Sequence, residues 1–248
     1  MKLVVDGLLT NYLIRGRGRV VILLHGWGDD GRTFAALITE LNKDYQTVVL
    51  DLPGFGSSQA PNEVWDLDAY VNFLAHFLTK LNLNTYAIIG HSNGGALAIR
   101  GLATGKLKAD KLVLLAAAGI RNRHGLKKFG TKVIAKTGKA ATFWLPGEYR
   151  QKLRKRLYGT IGSDLLVVPH LEETFKKTVR QDVQKDALAL KLPTLLIFAD
   201  RDPAIPLADG ELYHALIKTS NLKVLKGNDH FVHHDQPATV INLIKEFL

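Results

Sequence analysis

Ile88-Ile89-Gly90-His91-Ser92-Asn93-Gly94-Gly95 runs directly into Ala96-Leu97-Ala98-Ile99. The apolar residues before Gly90 suit a buried strand, the alanine-rich stretch after Gly94 suits a helix, and Gly-x-Ser-x-Gly occupies the joint. On so sharp a turn the flanking glycines admit close backbone approach, and the serine hydroxyl stands at the C-terminal edge of the sheet. Ser92 is therefore the candidate nucleophile. The competing reading, a glycine-rich turn without chemistry, fits the strand-before, helix-after context less well.

Outward from this joint, short and mostly non-alternating apolar runs recur: Val20 to Leu24, Thr47 to Leu50, Tyr86 to Ile89, Leu112 to Leu115, Thr194 to Phe198 and Leu222 to Leu225. Such runs suit strands buried on both faces. Helix-like segments separate them at Arg32 to Asn42, Leu67 to Leu81, Gly94 to Thr104 and Ala238 to Leu248, the last behind Pro237. The alternation predicts an α/β fold with a doubly wound, mostly parallel sheet covered on both faces. An N-terminal meander, Tyr12 to Ile14 leading through Arg15-Gly16-Arg17-Gly18-Arg19 into Val20, is expected to add antiparallel edge strands. From Gly119 to Leu190 helical spacing replaces the strand rhythm, as in Leu126, Phe129, Val133 and then Tyr149, Leu153, Leu157, Ile161. The expected organisation is a core of residues 1–118 and 191–248 with an inserted helical cap, 119–190.

A serine nucleophile needs a base and the base an orienting acid. Among nine histidines, His230 lies on a loop after the last strand and before the last helix, at the edge that also carries Ser92. His233 and His234 are its rivals and read as solvent or helix-entry residues. His25 reads as loop support and His91 as packing behind the elbow; His76 and His214 suit helices, and His124 and His170 belong to the cap. For the acid, Ala199-Asp200-Arg201-Asp202-Pro203 ends a buried strand with two carboxylates. Asp202 lies further out, where it can turn toward an imidazole, whereas Asp200 is placed to pair with Arg201 or cap a turn. The oxyanion formed on attack needs two backbone N–H donors. Asn93 at the helix start supplies one, and Trp27 in His25-Gly26-Trp27-Gly28 the other, unless Trp27 is simply a core aromatic.

With these pieces in place the chain resembles the α/β-hydrolases of the esterase, lipase and carbon–carbon-bond hydrolase group. The likeness rests on His25-Gly26-Trp27-Gly28, Asp51-Leu52-Pro53-Gly54-Phe55-Gly56-Ser57-Ser58, Gly90 to Gly95, Ala199 to Asp202, and Asp229-His230-Phe231 with Asp235-Gln236-Pro237. It implies the same roles for Ser92, Asp202, His230, Trp27 and Asn93. Three positions depart from the family pattern: Asn93 where many relatives carry Met or Leu, Ala199 where Gly usually precedes the acid, and Asp229 where Gly usually precedes the histidine. Asp229 would raise the pKa of the base if the two approached. A serine nucleophile argues against the dehalogenase and epoxide-hydrolase branches.

Composition bounds the rest. The 248 residues, 46% hydrophobic and 23% charged, are ample for one sizeable core. The longest apolar stretch, Leu112 to Ala118, is too short to span a membrane. No secretory apolar region precedes Asp6, so the expected location is the cytoplasm. Without cysteine there is no disulfide, thiolate nucleophile or cysteine-bound metal. No metal site is indicated and no cofactor is needed. Residues 119–190 hold 16 Lys and Arg against 6 Asp and Glu, so they carry the whole excess of +10. A basic cap over an apolar slot suits an acyl group on an acyl carrier, coenzyme A or a lipid head group; Lys-rich helix faces also serve solubility alone. No nucleic-acid-binding motif accompanies the charge, and no nucleic-acid partner is expected. The leading expectation is an ester or thioester hydrolase working through an acyl-enzyme on Ser92. The alternatives are hydrolysis of a carbon–carbon bond in a vinylogous diketone by the same triad, and a ligand sensor of this fold with slow or no turnover.

Overall fold

The computed structural model describes residues 1–121 and 168–248. Among them, eight strands form one sheet: β1 (Lys2–Val5), β2 (Leu8–Arg15), β3 (Val20–Leu24), β4 (Gln46–Leu50), β5 (Thr85–His91), β6 (Lys111–Leu115), β7 (Thr194–Ala199) and β8 (Ser220–Leu225). Their spatial order is β1-β2-β4-β3-β5-β6-β7-β8. All pairings from β4 to β8 are parallel, and the β1–β2 and β2–β4 pairs are antiparallel. The N-terminal edge is thus antiparallel but is not a simple meander. β2 pairs with β4, Tyr12 opposite Leu50, because the crossover from β3 to β4 inserts β4 between β2 and β3. The Arg15 to Arg19 linker that skips this strand turns at Gly16, whose φ is +77° and where a Cβ would lie 2.2 Å from the Tyr45 carbonyl oxygen. Only glycine fits there.

The described helices are α1 (Ala35–Leu41), entered through a 3-10 turn at Gly31–Phe34, α2 (Leu67–Lys80), α3 (Asn93–Ala103), α4 (Glu172–Thr178), α5 (Gln184–Ala189), α6 (Leu207–Leu216), α7 (Val232–Asp235) and α8 (Pro237–Phe247). α2 starts where Asp66 accepts the Ala69 N–H at 2.9 Å, and α8 starts on Pro237, which has no N–H to leave unpaired. The sequence marks only His214 as a helix position in α6 and gives the helix no bounds. Its apolar stripe is broken by Gly210, which packs so closely on Phe198 that a Cβ would come within 2.6 Å of that ring.

The strand runs read as continuous apolar because each side of the sheet has its own core. Ile22, Leu24, Val48, Leu50, Ile88, Leu112, Leu114, Leu196 and Phe198 pack with residues of α2, α3, α5 and α6 on one face. Val21, Leu23, Val49, Ala87, Ile89, Val113, Leu115, Leu195 and Ile197 pack with α1 and α8 on the other. Each of the Val, Leu, Ile and Phe side chains contributes roughly 1.5 to 3 kcal/mol on burial. α5 docks on the first face: Arg100 of α3 pairs with Asp186 at 2.7 Å, as it does with Asp68 of α2 at 3.0 Å, and Gly119 accepts the Val183 N–H at 2.9 Å. The helical runs expected within 126–161 lie outside the described residues.

Strand order reverses at β3 and β5, since β3 continues to β4 on one side and β5 continues to β6 on the other. In open parallel sheets the crevice beyond the C-terminal ends at such a switch point is the binding position. The loop after β3 holds Gly26 and Trp27; the turn after β5 holds Ser92.

Candidate active site

Ser92 has φ 49° and ψ −117°, a strained conformation for a residue with a side chain. Packing holds it there. Its N–H donates to the Leu115 carbonyl at 3.0 Å, and its carbonyl accepts the Gly95 and Ala118 N–H groups at 3.0 Å each. A Cβ at Gly90 would meet the Gly94 carbonyl oxygen at 2.7 Å, and one at Gly94 would meet the Leu24 carbonyl oxygen at 2.1 Å. The glycines are what let strand, turn and helix touch. Gly26 brings the β3 loop equally close, for a Cβ there would lie 3.1 Å from the Cβ of Ser92.

His230 Nδ1 and Asp202 Oδ2 are 2.7 Å apart, and the Asp202 side chain is fully buried. The second oxygen of Asp202 accepts the N–H groups of Ala204 and Ile205 at 2.7 and 2.8 Å. That leaves the carboxylate one free direction, toward the imidazole. Asp200 is engaged elsewhere, accepting the Gly227 N–H at 2.7 Å. Asp229 accepts the Phe231 N–H at 3.0 Å, so its carboxylate turns along its own loop.

Gly26, Trp27, Asp29, His91, Ser92, His230 and Phe231 line one small cavity of about 50 Å³. The structure thus brings Ser92, His230 and Trp27 to one cavity, with Asp202 directly behind His230. Asn93 opens α3, where helix geometry leaves the first N–H groups without intrahelical partners. The Trp27 side chain is a core aromatic as well, with its ring 4.9 Å from Phe55 and 5.0 Å from Phe175.

The other histidines separate by their partners. His25 is buried; its Nε2 accepts the Leu52 N–H at 2.9 Å and its Nδ1 donates to the Gly26 carbonyl at 2.8 Å. Burial lowers its pKa, so it ties the β3 and β4 loops as a neutral ring. His91 lies against His230, ring centroids 4.8 Å apart, and its Nε2 donates to the His230 carbonyl at 3.1 Å. Burial first, and then the neighbouring imidazoles, hold its pKa well below the ordinary histidine value. His233 does sit at a helix entry, in α7, but it is only 2% exposed; burial lowers its pKa to about 3, and its Nε2 is 3.1 Å from the Thr33 hydroxyl. His234 reaches the same hydroxyl at 3.0 Å.

Two carboxylates near the site escaped the sequence reading. Asp29 sits in Gly28-Asp29-Asp30-Gly31, which reads as an ordinary turn. Asp209 lies in the first turn of α6; burial, with Asp202 nearby, raises its pKa to about 6.

A fold with the nucleophile turn at the switch point and an acid–histidine pair on the loops after β7 and β8 defines an α/β-hydrolase architecture. The family model described as alpha/beta hydrolase family matches residues 21–243. The chain belongs to that family. It is 26% identical to the 2-hydroxy-6-oxo-2,4-heptadienoate hydrolase of Pseudomonas putida, over 98% of this chain and 93% of the relative. It is 24% identical to the pimeloyl-[acyl-carrier protein] methyl ester esterase of Aeromonas hydrophila, over 94% and 96%. Among solved structures it resembles MGS-M2, an alpha/beta hydrolase enzyme from a Medee basin deep-sea metagenome library, with a TM-score of 0.80, 19% identity and coverage of 100% and 96%. The protein is an enzyme of the alpha/beta hydrolase family. No helix among the described residues is long and apolar enough to cross a membrane.

Proposed function

We propose that this chain is a serine hydrolase cleaving a carboxylic ester or thioester of modest acyl length through an acyl-enzyme on Ser92. The observation that carries the reading is the 2.7 Å His230–Asp202 hydrogen bond beside a cavity that Ser92 and His230 both line. With the Nδ1 proton committed to Asp202, the Nε2 lone pair of His230 is left to take the Ser92 proton as Oγ attacks the carbonyl carbon. The N–H groups of Asn93 and Trp27 receive the oxyanion. His230 then returns the proton to the departing alcohol or thiol. Water, deprotonated by His230, attacks the acyl-enzyme and releases the acid and free Ser92.

The name of the Aeromonas hydrophila relative supports an ester, and one on an acyl carrier. The excess of basic residues in 119–190 supports an anionic carrier in the same way. The Pseudomonas putida relative favours a second reading, hydrolysis of a carbon–carbon bond in a vinylogous diketone. A dienoate of that kind carries a carboxylate, and Asp29 in the cavity wall weighs against it. The test is release of p-nitrophenol from esters with acyl chains of about two to twelve carbons. Activity peaking at one length, and lost in Ser92→Ala and His230→Ala, supports the ester reading. Silence across the series with turnover of a vinylogous diketone transfers the triad to carbon–carbon cleavage. Silence on both, in a folded protein, points to a ligand sensor.

A further inference from the structure

Asp29 lies two residues beyond Trp27 on the β3 loop and lines the cavity that holds Ser92 and His230. Its Oδ1 accepts the Asp30 N–H at 2.9 Å. Its Oδ2 is buried with no hydrogen-bond partner among the described residues. The nearby guanidinium of Arg32 is already paired with Asp30 at 2.6 Å. A carboxylate oxygen buried without a donor is costly, and a cation held in the cavity beside it offsets that cost through space. The same charge repels an anionic group entering so small a space.

We infer that Asp29 is a specificity residue that makes the cavity accept acyl groups bearing an ammonium near the scissile carbonyl and reject acyl groups bearing a carboxylate there. The inference rests on the hydrolase reading of the same site and names its substrate class. It is compatible with the basic excess of residues 119–190, since a carrier's anion and the acyl substituent are separate parts of one substrate.

Three p-nitrophenyl esters of nearly equal length provide the test: β-alanyl (cationic), butyryl (neutral) and hydrogen succinyl (anionic), each corrected for spontaneous hydrolysis. The expected order of kcat/KM in the wild type is β-alanyl, butyryl, succinyl, with steps on the order of tenfold at an effective dielectric of about 20. In Asp29→Asn, which keeps the Oδ1 acceptor for Asp30, the β-alanyl to succinyl ratio is expected to fall to within about threefold. In Asp30→Asn, which removes an equal charge outside the cavity, the ratio is expected to stay near that of the wild type. A wild-type enzyme that cleaves butyryl ester without charge preference, or a preference unchanged in Asp29→Asn, overturns the inference and leaves the hydrolase reading standing. No cleavage of any ester overturns the ester-hydrolase reading instead. The inference is then decided in Ser92→Ala by quenching of tryptophan fluorescence, Trp27 being in the cavity wall. Tighter binding of butylammonium than of butyrate, abolished by adding Asp29→Asn, supports it; equal binding overturns it.

Discussion

His91 Nε2 lies 3.1 Å from the backbone carbonyl of His230, so the residue beside the candidate nucleophile holds the loop that carries the candidate base. The two loops come from β5 and β8, strands separated in the sheet by β6 and β7. Because burial keeps the His91 ring neutral, its single N–H is committed to this bond. His91→Ala is expected to lower kcat on a cleaved ester by about fivefold to thirtyfold with little change in KM, the effect of losing one buried hydrogen bond of about 1 to 2 kcal/mol. Steady-state kinetics check this; an unchanged kcat would show that the His230 loop holds itself.

Asp202 and Asp200 end the same strand but face different partners. Asp202→Asn leaves the loop in place but disturbs the His230 tautomer, and is expected to cost on the order of 10³ to 10⁴ in kcat. Asp200→Asn keeps an Oδ1 to accept the Gly227 N–H and is expected to stay within about threefold of wild type. Equal losses in the two variants would sink the assignment of Asp202 as the orienting acid.

Asp209 titrates at about 6 in the fold, above the ordinary carboxylate value of 3.8. The folded chain therefore holds its proton more tightly, and the associated stability is complete below about pH 4 and lost as pH rises through about 6. Asp209→Asn is expected to raise stability at about pH 8 by the order of 1 kcal/mol. Urea denaturation at several pH values measures it, and a destabilised variant at that pH would contradict the argument.

His233 works in the opposite sense. Its pKa is lowered from 6.5 to about 3, so the unfolded chain binds the extra proton and stability falls as pH drops from about 6.5 toward 3. His233→Gln, whose amide can still reach Thr33, is expected to retain more of its neutral-pH stability at about pH 4.5 than wild type does, by about 2 kcal/mol. Parallel acid-denaturation curves for the two proteins would rule this out.

Much of the frame is legible in the chain because it depends on local periodicity. Runs such as Val20 to Leu24 and Leu112 to Leu115 are apolar at every position only if both faces are covered, and that alone implies a parallel sheet with helices on each side. A parallel sheet in turn sends the loops after β3, β5, β7 and β8 to one edge, which is why Trp27, Ser92, Asp202 and His230 could be picked out as neighbours from a one-dimensional pattern. The pairing of β2 with β4 and the extent of α6 around His214 were not legible, since the first follows from a crossover and the second from Gly210 packing on Phe198. The polar character of the cavity belongs to tertiary structure as well. Asp29 in the cavity wall looks like a turn residue in the chain, and His91 like packing behind the elbow. What each does depends on which donor or carboxylate the fold brings within a few ångströms and on how much water it removes, and no local pattern records either.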